Sequence, residues 1–301
     1  MNAIKRFSKY IKKLDTVYRQ SAKTAVLDGD NELVKMGANA GEFEIPMLNM
    51  DGLGDYDRNS GYAKGSVSIT YQTKKADYDR GRKFDVDAMD NEETAGLLLA
   101  KLSAEFVRTK VVPELDAYRF AKYAAVPGAT VVSGKLASGS EVLAAIRDAK
   151  TAMDEVEVSS EGRILFITPT ALDMAKNVDK LISKDVLNEF EIVPVPQRRF
   201  HTGITLYDGR SDDELSGGYA PAEGAYPINF MIVDKAAIIQ FTKHNVNKAI
   251  SPEENQSSDA WAFFFRSYGI ADFYENKTEG IYVHHGADPV TATEAEEGDG
   301  E

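Results

Sequence analysis

Four stretches of this chain hold residues whose types and spacing belong to known chemistries, and each falls short of what that chemistry needs. Gly128-Ala-Thr-Val-Val-Ser-Gly-Lys135 has the glycines and lysine of a phosphate loop. A phosphate loop sets four residues between its glycines and a Ser or Thr after the lysine to hold Mg²⁺. Here five residues intervene and Leu136 follows the lysine. Asp55, Asp57 and Asn59 open like a calcium loop, but Ser60 stands where the turn needs Gly and Ser66 where it needs a bidentate Glu. His284 and His285 are adjacent, so on a strand they point to opposite faces and do not share an ion. Only His201 and His244 remain, without a sequence-near carboxylate, so no metal site is expected. Arg80-Gly-Arg-Lys83 has the cations of a phosphate clamp. Asp77, Asp79, Asp85 and Asp87 flank it, which favours mutual or intersubunit ion pairing of Arg80, Arg82 and Lys83.

The rest of the composition removes further chemistries. Cysteine is absent, which excludes disulfides, thiolate metal sites and cysteine nucleophiles. No set of residues assembles a nucleophile, base and oxyanion hole, so no catalytic residue and no cofactor is expected. Trp261 lies in an aromatic, strand-like run and reads as core. With 301 residues, 43% hydrophobic and 28% charged, the chain is an ordinary globular protein large enough for two intertwined subdomains. The first residues lack the apolar core of a signal peptide, and no apolar run approaches the roughly 20 residues of a membrane span. A soluble, cytosolic product without a membrane partner is expected.

Net charge is −13 and unevenly placed. Lys5, Arg6, Lys9, Lys12, Lys13, Arg19 and Lys23 face only Asp15 in the first 24 residues, while the last residues are acidic without a base. An acidic body argues against a general nucleic-acid binder. Within the basic arm, Phe7, Ile11, Leu14 and Tyr18 share one face of a short amphipathic helix. Three roles stay open for it: docking on its own or a neighbouring subunit, turning Lys9, Lys12 and Lys13 inward toward a scaffold or nucleic acid, or lying on a membrane surface.

The elements that would have to position any site point elsewhere, to assembly. Val67, Ile69 and Tyr71 alternate with Ser68, Thr70 and Gln72, the two-residue period of a strand with one wet face. The stretch before it, Asp51 to Gly61, is dense in turn formers. Across the whole tip, roughly Asp51 to Gly65, Leu53, Tyr56 and Tyr62 are the main groups to bury, among polar Arg58 and Lys64. A two-stranded ribbon is marginal alone in water, so residues 41–89 read as an arm that lies on something else. A long helix over about Asp90 to Ala124 follows, with Asp90 as N-cap, Glu93 completing a capping box, and Leu98, Leu99, Leu102, Phe106 and Val107 as its stripe. Pro113 should kink or interrupt it.

Ser140 is expected to cap a second helix carrying Val142, Ile146, Ala149 and Met153. Arg163–Thr168 reads as a buried strand, with Pro169 opening a helix after it. Residues 190–195, 228–233, 237–241, 260–266 and 280–283 supply further strands. After Gly286 nothing calls for burial, and residues 287–301 are expected to form a disordered acidic tail.

This order of parts resembles the major capsid protein of tailed bacteriophages, an icosahedral shell fold shared with encapsulins. The likeness covers about residues 1–286. Asp51-Gly-Leu-Gly-Asp-Tyr56, Tyr78-Asp-Arg-Gly-Arg-Lys-Phe84, Arg108-Thr-Lys-Val-Val-Pro-Glu-Leu-Asp116 and Asn276-Lys-Thr-Glu-Gly-Ile-Tyr-Val283 carry it. The resemblance implies an α+β phage capsid shell fold. It has an N-terminal arm (1–40), an extended β-hairpin loop (41–89), a peripheral domain with the spine helix (90–134 and 243–265) and an axial domain (135–242 and 266–286). It further implies a structural protein, not an enzyme, that assembles in the host cytoplasm as hexamers and pentamers of a virion capsid around double-stranded DNA. Leu53, Tyr56, Arg58, Tyr62 and Lys64 would touch the neighbouring subunit. Because the chain opens directly at the arm, a separate scaffolding protein is implied, beside a portal protein and DNA held by non-specific contact. Some members cross-link a loop lysine to an asparagine; Lys64, Lys74 and Lys75 are present, but no partner is identified and the cross-link is not carried over. The alternatives are an encapsulin-like compartment enclosing cargo protein, and an α/β enzyme built on the strand at 163–168.

Overall fold

The computed structural model describes residues 22–29, 35–36, 42–89, 97–178, 180–256 and 258–291. The amphipathic arm before residue 22, the capping box at Asp90 and the last ten residues lie outside these. At the centre is a five-stranded sheet in the order β5 (Thr130–Ser133), β13 (Ile281–His285), β10 (Ile228–Asp234), β6 (Arg163–Ile167) and β7 (Glu191–Pro194). Strand β6 is buried along its whole length because both faces are covered. Leu165 and Ile167 face α3 (Gly139–Glu155), α4 (Pro169–Lys176) and α5 (Lys180–Leu187), in a core with Val142, Ile146 and Met153. Ile164 and Phe166 face the other way, where Phe166 meets Phe120 edge-to-face at 5.0 Å.

Phe120 belongs to the long helix. It runs as α1 (Leu97–Phe106), widens through a π-helical turn (Val107–Val111), and continues as α2 (Val112–Ala124). The π turn ends one residue short of Pro113 and contains Thr109, four residues before the proline. Proline has no N–H to give the carbonyl four residues back and its ring crowds that carbonyl, so a wider turn relieves the clash. The expected interruption is therefore a bulge in a continuous rod of about 40 Å.

Against the other side of the rod lies a second sheet, in the order β11 (Ile238–Ile250), β12 (Ala260–Phe273), β4 (Tyr78–Asp87). Phe84, Phe106 and Phe265 form its aromatic contact with the helix. A third sheet pairs β1 (Lys35–Met36), β2 (Glu42–Met50) and β3 (Val67–Lys75), and β8 (Ile204–Tyr207) pairs with β9 (Gly218–Pro221).

Three expectations change. Within 41–89 the ribbon proper is β2 and β3, because β4 leaves it to pair with β12. The second helix is capped by Ser138, whose Oγ accepts from Glu141 N at 3.3 Å while the Glu141 carboxylate accepts from Ala137 N at 2.7 Å. Ser140 therefore sits inside the first turn. The chain also stays anchored past Gly286: Val290 is buried, its N–H donates to Ala225 O at 2.7 Å and its carbonyl accepts from Gly224 N at 3.1 Å. One valine gives the acidic end an apolar foothold.

Candidate assembly interface

The ribbon of β2 and β3 is in continuous register from Glu42 opposite Lys75 to Met50 opposite Val67. Directly opposed residues share a face and successive residues alternate. One face near the root therefore holds Phe43, Ile45 and Gln72, all buried. Phe43 meets Phe241 edge-to-face at 5.0 Å, in a small core with Ile239 and Ile270. Gln72 donates from Nε2 to Phe273 O at 3.1 Å and accepts from Glu275 N at 3.3 Å. Lys74 adds ion pairs to Asp272 (3.2 Å) and Glu275 (3.4 Å). The root is thus fastened to the subunit by apolar, amide and ionic contacts together.

The opposite face is different. It carries Pro46, Leu48 and Met50 on β2 against Tyr71, Ile69 and Val67 on β3. Exposure there is 53% for Leu48, 64% for Met50, 70% for Val67, 60% for Ile69 and 49% for Tyr71. Single exposed apolar residues are ordinary, but a contiguous apolar stripe on a projecting ribbon marks an interaction surface. Among the described residues β1 pairs with Phe43 and Glu44, and Pro46 stands beyond that pairing.

Beyond the strands the tip is ordered by its own polar groups. Asp51 N–H donates to Ser66 O at 3.1 Å and its carboxylate accepts from Ser66 N at 2.6 Å. Asp57 and Gly61 exchange backbone bonds, and Asp57 Oδ1 accepts from Asn59 N at 2.6 Å and Ser60 N at 3.2 Å. These donors hold the Asp57 carboxyl below its usual pKa. Gly61, at φ +81°, closes the turn that a side chain would strain. Tyr56 and Tyr62 stack edge-to-face at 4.9 Å, and Leu53 is fully exposed. Arg58 and Lys64 are exposed on the same tip. The structure thus brings Leu53, Tyr56, Arg58, Tyr62 and Lys64 together at the end of the ribbon.

The cations of Arg80–Lys83 have partners inside the subunit. Arg80 Nε donates to Glu114 at 2.8 Å on α2, and Arg80 Nη2 to Gly218 O at 3.3 Å. Arg82 Nη2 donates to Leu215 O at 2.7 Å, its guanidinium lying against Gly209 and Gly217 where Cβ atoms would collide. Lys83 pairs with Asp85 at 3.0 Å, both half-exposed. His284 and His285 do point apart, to Phe230 and Tyr226 respectively. Thr130–Ser133, the middle of the phosphate-loop mimic, is extended strand.

A polar hub on α2, without a local signal in the sequence, ties these elements together. Asp116 is fully buried, accepting from Lys23 N (3.0 Å), Thr24 N (3.1 Å), Thr24 Oγ1 (2.7 Å) and Arg199 Nη1 (3.3 Å). It therefore caps the 3-10 turn Lys23–Leu27 from outside. Arg119 donates to Thr24 Oγ1 at 2.9 Å, and Gln240 Nε2 to Thr24 O and Asp28 Oδ1, each at 2.7 Å. Tyr118 and Lys122 both hold Asp77, at the corner between ribbon and β4. Burial and the Asp77 carboxylate raise the Tyr118 pKa, so its hydroxyl stays a donor. One helix thus fixes where the arm enters and where the ribbon leaves.

No family model matches the chain, and no curated protein matches it in sequence. Solved structures match its fold. A chain from Mycobacterium phage Che8 aligns with a TM-score of 0.59 at 13% identity, covering 88% of this chain and 91% of that one. The asymmetric unit of the bacteriophage PhiM1 mature capsid gives 0.57 at 11% identity, covering 83% of each chain. The virus-like particle from Pyrococcus furiosus gives 0.55 at 10% identity, covering 91% of this chain and 99% of that one. The class is thereby defined: this chain has the α+β shell fold of the phage capsid proteins, as its resemblance to them implied. That fold is shared with the Pyrococcus particle.

Proposed function

We propose that this chain is a major capsid protein that assembles through hexamers and pentamers into an icosahedral shell around double-stranded DNA. The observation that carries this reading is the ribbon, whose root is fastened to the subunit while Leu48, Met50, Val67 and Ile69 on its outer face and Leu53 and Tyr62 at its tip stay more than half exposed. A neighbouring copy supplies the cover, and the burial of apolar stripe and tip in every subunit sums into a stable shell. In this role the hub on α2 aims the ribbon, and the half-exposed Lys83 is the member of its cluster offered to a neighbour. The basic arm, with Lys9, Lys12 and Lys13, turns inward to a scaffolding protein and later to DNA, and one vertex takes a portal protein. The peripheral domain is assigned to residues 90–134 and 243–265, the axial domain to 135–242 and 266–286. Such a role needs no catalytic centre.

The extent of the match to the Pyrococcus particle favours one second reading, a compartment shell that encloses protein. Electron microscopy of the purified protein, produced with and without a co-expressed scaffold, tests both. Closed shells holding nuclease-protected DNA support the capsid, closed shells holding protein support the compartment, and a monomer under every condition overturns both.

A further inference from the structure

Away from the ribbon, strand β10 slips register against β13 between Ile228, opposite His285, and Phe230, opposite His284, leaving Asn229 as a bulge. A bulge re-aims the side chain of its extra residue. The Asn229 carboxamide nitrogen donates to Gly134 O at 3.2 Å and lies 3.1 Å from His284 Nδ1. An amide nitrogen carries only donors, so His284 Nδ1 accepts and the imidazole proton sits on Nε2. The ring is buried, stacked on Phe230 at 5.0 Å with 17° between planes. Its Nε2 edge lies against Gly134, where a Cβ would come within 3.5 Å. Gly134 closes the edge strand β5, its N–H donating to His285 O at 2.9 Å, and it leads to Ser138, the cap of α3.

Charged groups on the surrounding elements lie mainly on α3. β5 carries no charged residue, β10 carries only Asp234 at its far end, the connection carries Lys135, and α3 carries Glu141, Arg147, Asp148, Lys150, Asp154 and Glu155. Burial, and after it the charge of His285, keep His284 below its usual pKa.

We infer that Asn229 and His284 form an acid-sensitive latch on the connection between β5 and α3, opened when solvent protonates His284. With a proton on Nδ1, the ring turns a donor toward the Asn229 amide. Rotating the carboxamide lets Oδ1 accept from that proton, but the same rotation sets Oδ1 against Gly134 O, where two acceptors repel. One of the two bonds survives in acid, never both. Gly134 then shares or loses its tie to Asn229, and the connection is held by the Glu141 carboxylate on Ala137 N and by the ladder of β5 to β13. This device is independent of the shell reading.

Hydrogen exchange of the whole chain, corrected for intrinsic rates, tests the latch at about pH 7.5 and about pH 4, the acid arm set well below the ordinary histidine pKa because burial holds His284 under it. Protection across 130–138 should fall about fivefold in acid, the ratio a single lost hydrogen bond gives, while β6 peptides hold. His284→Phe keeps the stack and removes the titration, so it should abolish the difference. Unchanged protection in the natural chain, or the same acid loss in the variant, overturns the latch. If the variant does not fold, imidazole ¹⁵N shifts of the natural chain decide: an Nε2–H tautomer at neutral pH supports the latch, and an Nδ1–H tautomer overturns it.

Discussion

Leu48 and Ile69 face each other across the ribbon and are 53% and 60% exposed in the subunit. Fully burying an aliphatic side chain yields roughly 1.5–3 kcal/mol, so covering what remains exposed here is worth about 1–1.5 kcal/mol apiece. Replacing both with threonine keeps the strand preference and forfeits most of that gain, about 2 kcal/mol for each ribbon laid on a neighbour. That corresponds to about a 30-fold weaker subunit contact. Neither side chain supports the subunit's own core, so its stability should move by no more than about 0.5 kcal/mol. Sedimentation and light scattering against protein concentration measure the threshold for particle formation, and calorimetry of the unassembled subunit checks the fold. The expected result is a sharply raised threshold with an unchanged Tm. A matched change on the polar face, Ser68→Ala with Thr70→Ala, should leave the threshold where it was. An equal effect from both pairs, or a threshold indifferent to Leu48 and Ile69, would refute the assignment of this face.

Two further outcomes concern the subunit itself. Asp116→Asn removes the charge facing Arg199 and turns an NH₂ donor toward one of the two amides, Lys23 N or Thr24 N, that the carboxylate oxygens now accept from. It should cost about 3 kcal/mol in denaturant unfolding, and proteolysis should then cut near Lys23 before it cuts the core. His201 is buried with Nδ1 unpartnered, and burial pushes its pKa down to about 4. The unfolded chain binds that proton near pH 6.5 and the folded one does not, so the stability this group allows is complete above about 6.5 and is lost as pH falls toward 4. Urea unfolding at about pH 5 should give about 2 kcal/mol less stability than at neutral pH on this account, and His201→Gln should remove that share of the difference.

What was legible in the sequence followed from strong local patterns. The alternation of Val67, Ile69 and Tyr71 marked β3, the unbroken apolar run marked β6, and Pro113 marked the irregular turn in the long helix. β2 was obscure because its apolar groups change face at Pro46: Phe43 and Ile45 turn inward, Leu48 and Met50 outward, and no single period survives. The outward stripe was therefore seen on one strand and missed on its partner. β11 runs on past 241 through exposed Lys243, His244 and Asn245, and β12 past 266 through Ser267, Tyr268 and Gly269, so both strands were shortened in prediction. The hub was hidden for a different reason. Charged residues on a helix, such as Glu114, Asp116 and Arg119, ordinarily face solvent, and only the fold brings Arg80, Lys23, Thr24 and Arg199 to meet them. Val290 carries too little pattern to announce its foothold.

Hydroxyl-radical footprinting of the separated subunit and of the assembled particle tests the central claim most directly, because Met50 and Tyr71 are reactive side chains on the exposed ribbon face. Both should be oxidised readily in the subunit and strongly protected after assembly, as a neighbouring copy covers the stripe. Equal oxidation of Met50 and Tyr71 in the two states would show that assembly leaves this face open, and would contradict the account.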